Sequence, residues 1–108
     1  MRPVTVTQTG VGTSALIPWD YIQTPFNASI STVVTGTATY TIQHTFDDIF
    51  ASTYNPATGT WFDHDVANMV AATTNQDSNY SAPIRASRIN LTSGTGSVAL
   101  TGLQGIGH

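Results

Sequence analysis

An all-β fold, built as one antiparallel β-sandwich, is what this sequence predicts, and three features carry the expectation. The first is residues 37–46, T-A-T-Y-T-I-Q-H-T-F, which alternate without a break. Ala38, Tyr40, Ile42, His44 and Phe46 share one parity; Thr37, Thr39, Thr41, Gln43 and Thr45 share the other. Side chains alternate faces along a strand, so this is a central strand with an apolar face and a threonine-lined face. At about 3.3 Å per residue it spans roughly 33 Å, long for a small domain. The second is composition: the chain has no Lys and no Glu, both helix formers, and Thr takes their place. The third is punctuation, because short alternating runs are separated by Gly- and Pro-containing turns at sandwich spacing.

The chain is 108 residues long, the size of one domain with one core. Charged residues make up 8% of it, against about 25% in typical domains. The cations are Arg2, Arg85 and Arg88; the anions are Asp20, Asp47, Asp48, Asp63, Asp65 and Asp77, for a net charge of −3. Three arginines make no basic face, so a nucleic-acid partner is not expected. Cysteine is absent, which removes disulfides and thiolate metal sites. No apolar run approaches a membrane span, so no membrane partner is expected. The start, Met1-Arg2-Pro3 leading into Val4-Thr5-Val6, lacks the apolar core of a signal peptide. The expectation is synthesis in a cytoplasm.

Taken in order, Val4-Thr5-Val6-Thr7-Gln8 reads as a first strand, broken by Gly10-Val11-Gly12. Residues 14–17 read as a short second strand stopped by Pro18. Trp19 and Tyr21, between Pro18 and Pro25, suggest a folded corner packed on the sheet edge, or alternatively a sugar-stacking platform. Residues 26–34 alternate again, with Phe26, Ala28, Ile30, Thr32 and Val34 on one parity. If this run pairs with the central strand, a three-residue loop at 35–37 sets Ile30 opposite Ile42, because only odd loops keep both apolar sets on one face. In a sandwich the two runs instead lie in different sheets. Residues 49–54 are a short strand or irregular. Asn55-Pro56-Ala57-Thr58-Gly59 is a turn, and Thr60-Trp61-Phe62-Asp63 a short aromatic strand. Asp65 is placed to cap one helical turn containing Val66, Met69 and Val70. Residues 73–81, with Asn75, Asp77 and Asn79, read as a polar loop and a candidate contact surface. From Pro83 the chain returns to sheet, with a bulge near 85–87 where the parity shifts. Thr92-Ser93-Gly94-Thr95-Gly96 is a turn, and a last strand brings Val98 and Leu100 inward. The total is about seven or eight strands in a jelly-roll or Ig-like sandwich covering residues 1–108.

Few residues suggest chemistry. Asp63-His64-Asp65 with Asp47-Asp48 and Asp77 is the only cluster of possible ligands, but it lacks calcium-loop spacing, and Asp is a common turn former. His44, His64 and His108 show no zinc spacing. No metal and no cofactor are expected. His44, on the apolar face, reads as a neutral histidine at the core margin, or as a base paired with an Asp. No nucleophile motif accompanies it, so no enzyme is expected and no catalytic residue is assigned. Asn27-Ala28-Ser29, Asn79-Tyr80-Ser81 and Asn90-Leu91-Thr92 match the glycosylation pattern, as chance allows in a chain rich in Ser and Thr. Arg85 and Arg88 read either as solvated or Asp-bonded (to Asp63 or Asp77), or as inter-subunit anchors. Together with Trp19, Tyr21, Asn79 and Tyr80 they form the candidate interface.

Four stretches resemble a family of small virion proteins of tailed bacteriophages. They are T-I-Q-H-T-F-D-D at 41–48, W-F-D-H at 61–64, D-S-N-Y at 77–80 and R-I-N-L-T-S-G-T-G-S at 88–97. The resemblance implies a capsid decoration or cement protein. Such a protein binds the major capsid protein on the outside of the head, often as a trimer, and is made in the bacterial host cytoplasm. A surface without Lys and Glu has little side-chain entropy to lose when covered, which suits that role. A second reading is a carbohydrate-binding or adhesion module of a phage tail or fibre, with Trp19, Tyr21, Trp61 and Tyr80 exposed to ligand. A third, an enzyme using His44 or His64 with an Asp, predicts a cleft holding both groups at hydrogen-bond distance.

Overall fold

Nine antiparallel strands form two facing sheets in the computed structural model, which describes residues 4–19, 26–55 and 58–104. The four-stranded sheet has the order β1 (Val4–Thr9), β9 (Ser97–Gln104), β4 (Ala28–Thr35), β7 (Gln76–Tyr80). The five-stranded sheet runs β2 (Gly12–Thr13), β8 (Ala86–Gly94), β5 (Ala38–Thr45), β6 (Phe62–Asp63), with β3 (Ile17–Pro18) also on β8. The β-sandwich expected from the sequence is therefore the fold. Its core lies between the sheets, where Ile30, Val98 and Leu100 meet Tyr40, Ile42, Ile89 and Leu91, all essentially without solvent contact.

β5 is an interior strand, paired with β8 on one side and β6 on the other. β4 does not pair with it. β4 pairs with β9 and β7, so the turn at 35–37 carries the chain from one sheet to the other. Ile30 and Ile42 still share the core, from opposite sides. The turn at 94–96 makes the same crossing between β8 and β9, and the two turns touch. A Cβ on Gly94 would stand 2.3 Å from the Thr37 carbonyl oxygen, and one on Gly96 2.4 Å from that of Thr35. With φ of +102°, Gly94 also needs the freedom only glycine has. Across the sandwich the Tyr40 hydroxyl bonds the buried Thr32 hydroxyl and donates to the Thr74 carbonyl at 2.8 Å.

Several local expectations are corrected. The threonine-lined face of β5 is partly covered, because Thr41 and Thr45 are buried. The connection from β5 to β7 folds over it: Thr41 Oγ1 accepts the Ala71 N–H at 3.0 Å, and Thr45 Oγ1 donates to the Thr60 carbonyl at 2.7 Å. A threonine satisfied by main chain can be covered at little penalty. The single strand expected at 14–17 is two dipeptide strands, β2 and β3, flanking it. The polar stretch 73–81 is not all loop, since 76–80 form edge strand β7. Polar residues on its outward face hid the alternation, and a short charged edge strand resists pairing with other chains. The helical turn is a 3-10 turn, Ala67–Met69, with Val66 at its N-cap and no side-chain cap, so Asp65 does not cap it. Met69 is buried, whereas Val66 and Val70 stay exposed. The bulge falls at Thr92, opposite Thr39 and Tyr40, rather than at 85–87. Ala86 and Ser87 are both buried because β8 is covered on both faces at that point.

Candidate functional site

At one end of the sandwich β5 outruns its cover. The inward parity of Ala38, Tyr40 and Ile42 continues to His44 and Phe46, but burial fades: His44 is half-buried and Phe46 is 55% exposed. Edge strand β6 adds Phe62, 48% exposed, and the last residue of β7 adds Tyr80 from the opposite sheet. His44 lies edge-on to Phe46 (5.6 Å between ring centres) and to Tyr80 (5.2 Å), and stacks on Phe62 at 6.1 Å. Phe46 and Phe62 lie 5.9 Å apart. A slot of about 180 Å³ opens beside these rings, lined by His44, Phe46, Asp65, Tyr80 and the apolar run Ala82, Pro83, Ile84.

The polar atoms beneath the slot are largely committed. The Tyr80 hydroxyl meets His44 Nδ1 at 3.2 Å, joining the two sheets. Burial holds the Tyr80 phenol well above its ordinary range, with the Ser87 hydroxyl working in the other direction. His64 packs its ring 4.4 Å from Tyr80 and is 3% exposed. Its Nδ1 accepts the Val66 N–H at 3.0 Å, which places the proton of the neutral ring on the buried Nε2. Asp65 Oδ1 lies 3.2 Å from the same Nδ1, a contact that attracts only when the ring is charged. Burial lowers the pKa of His64 against the pull of Asp65 and the Asn79 carbonyl, which favours the neutral ring. His44 is lowered too, by burial first and by His64 second, with Asp65 and Asp63 opposing. The nitrogen of His44 that has a partner faces Tyr80, not a carboxylate. The arrangement offers a partly exposed aromatic grip on a rigid, neutral base.

The candidate interface residues are dispersed. Trp19 is core: it is 4% exposed, its Nε1 donates to the Ser87 hydroxyl at 2.9 Å, and its ring lies against Gly102 of β9. It is thus neither a sugar platform nor an interface residue of the folded monomer, because both of its ends are used inside. Tyr21 lies outside the described residues. Tyr80 is 6% exposed and reaches the surface only as a wall of the slot. Asn79 is exposed on the outer face of β7. Arg85 pairs with Asp48 at 3.4 Å, rather than with Asp63 or Asp77. Arg88 lies 4.1 Å over the Trp61 ring, and its Nε donates to Gln43 at 3.0 Å. That stacking partly covers Trp61, another of the rings expected to face a ligand.

Nor are the carboxylates gathered. Asp47 accepts the Thr60 N–H at 2.7 Å, Asp63 accepts the Gln43 amide, and Asp77 stands on the far sheet. No group of three or more possible metal ligands forms among the described residues. Phe46, Phe62, Pro83 and Ile84 were not legible as site residues. Phe46 follows the inward parity, and only Asp47-Asp48 after it signalled that the strand was leaving its cover. No family model, no curated protein and no solved structure matches the chain.

Proposed function

We propose that this domain is a non-enzymatic structural protein of a phage particle, a decoration protein that grips the outer surface of the head shell. The observation that carries the reading is the aromatic slot. Phe46 stands half out of the domain at the rim of a cavity that a single apolar side chain can enter, and Phe62, 48% exposed, packs beside it at 5.9 Å. Partly exposed aromatics around a pocket are the usual energetic centre of a protein interface. The surrounding surface has no Lys and no Glu to immobilise when a partner covers it. A sandwich with rings locked between its sheets presents the slot already formed, so little ordering is needed on docking. The capsid subunit is the proposed partner, a trimer the proposed state on the shell, and the virion the proposed location.

The test is the copy number of this chain in purified particles, relative to the major shell protein, by quantitative mass spectrometry. The expected result is hundreds of copies in a simple ratio to the shell subunit, lost when Phe46→Ser protein is supplied instead. A handful of copies, or none, overturns the decoration reading.

A further inference from the structure

The outer face of the four-stranded sheet carries a different kind of surface. Two rows of side chains cross three strands there. Asn79, Ser29 and Leu103 are register neighbours on β7, β4 and β9; Asp77, Ser31 and Thr101 form the next row. Strand geometry spaces the rows about 6.8 Å apart and the members of a row about 4.8 Å apart. Over them lies an open depression of about 510 Å³, lined by these six together with Ile30 and Ser78. That volume falls within the range of small-ligand sites.

The side chains of Ser29, Ser31, Asp77 and Asn79 make no hydrogen bond among the described residues; Thr101 is tied to Thr5 at 2.9 Å. This contrasts with the other sheet, whose outer Gln43 is engaged by Arg88. The free groups comprise a carboxylate, a carboxamide and two hydroxyls. Asp77 is the only ionisable side chain in the lining among the described residues, and both described arginines belong to the opposite sheet and its approach. A phosphate or carboxylate ligand would meet repulsion from Asp77 and no counter-charge from any described residue. Adjacent hydroxyls of a neutral sugar meet acceptors in Asp77 and both a donor and an acceptor in Asn79. Leu103, 48% exposed, offers an apolar contact to the C–H face of the ring.

We infer that this face binds a neutral oligosaccharide through Asp77, Asn79, Ser29 and Ser31. It lies on a different sheet from the Phe46–Phe62 edge, so it stands or falls separately from the decoration role. Because the depression is open and shallow, affinity is expected in the millimolar range.

The experiment titrates isotope-labelled protein with maltotriose, mannotriose, galactotriose and chitotriose, each to about 10 mM, and follows backbone amide shifts. The expected result is saturable shifts at residues 29–31, 77–79 and 101–103 with at least one trisaccharide. Asp77→Asn and Asn79→Ala should each weaken binding about tenfold, while Phe46→Ser leaves it unchanged. Both polar positions are exposed, so the variants keep the wild-type spectrum elsewhere. Shifts from none of the four sugars, shifts centred on the aromatic slot, or undiminished binding by Asp77→Asn and Asn79→Ala would each overturn the inference. So would protection of this face on assembled particles without sugar binding, which would identify a protein occupant.

Discussion

Substituting Gly102 by Ala tests the core at its tightest point. Gly102 lies inside β9 between Val4 of β1 and Ile30 of β4, so pairing on both sides holds its backbone in place. An added Cβ would come 2.5 Å from Cη2 of Trp19, and 3.2 and 3.3 Å from Cζ2 and Cζ3. The indole has no room to withdraw. It is buried, its Nε1 is bonded to Ser87, and its backbone N–H donates to the Arg85 carbonyl at 2.9 Å. Overpacking of this kind costs about 1–3 kcal/mol, while replacing Gly in a strand returns about 0.5–1 kcal/mol through the unfolded state. The net expectation is a loss of about 1 kcal/mol, lowering the urea midpoint by roughly 0.5–1 M. Urea unfolding followed by circular dichroism measures this directly. Trp19→Leu alone should lose about 3 kcal/mol, but in that background Gly102→Ala should become neutral or stabilising, a coupling of about 2 kcal/mol. An unchanged midpoint in Gly102→Ala, or the same loss with and without Trp19, would refute the claim that the glycine exists to admit the indole.

Gly94→Ala places a methyl group against main-chain atoms in a left-handed backbone; it should lose at least about 3 kcal/mol, seen as failure to give a dispersed amide spectrum or as a large drop in midpoint. Tyr40→Phe removes the hydroxyl that bonds Thr32 and Thr74, and should lose about 1–2 kcal/mol, lowering the melting temperature by about 4–16 °C in calorimetry. His44 and His64 both have folded pKa values below the free-histidine value, so the unfolded chain binds protons more readily. Their contribution to stability is full above a pH of about 6.5 and is lost as pH falls from there through the folded values. Urea midpoints measured from neutral to acid should fall across that window, and His44→Gln should flatten the decline. Phe46→Ser should lose under about 1 kcal/mol, because the ring is more than half exposed, while abolishing particle binding in a co-sedimentation assay.

What sequence reasoning reached was the part governed by period-2 alternation. β1, β4, β5 and β9 were all legible, together with the inward sets Ile30, Ile42, Val98 and Leu100, because one face of each is wet or lined by small polar groups. What it missed depended on tertiary cover. Thr41 and Thr45 look like solvent residues in any strand, and only the returning connection buries them. β7 carries Asp and Asn where strand formers are usual, so propensity concealed a strand that its hydrogen bonds to β4 define. The assignment of β4 and β5 to different sheets was an open alternative, since both a hairpin and a crossover satisfy the same alternation. The candidate site was legible only in fragments. Tyr80 and His44 stood out, but their meeting across the sandwich is a product of topology. Trp19 was expected either to pack at a corner or to face a ligand; it packs, but nothing in the sequence ties it to Gly102.

The central position of β9 bears on how the molecule is assembled in time. Sheet pairing joins Val4 to Gly102 and Ala28 to Gln104, so the first and fourth strands both wait on the ninth. A nascent chain therefore cannot complete this sheet while the ribosome still holds residues 97–104, and β1 and β4 emerge as unpaired edges. Such high contact order makes folding slow, of the order of milliseconds to seconds, because the sheet closes only once β9 is free to pair. A chain shortened before β9 loses the strand that divides β1 from β4, leaving two half-sheets with the aggregation hazard that the finished sandwich avoids.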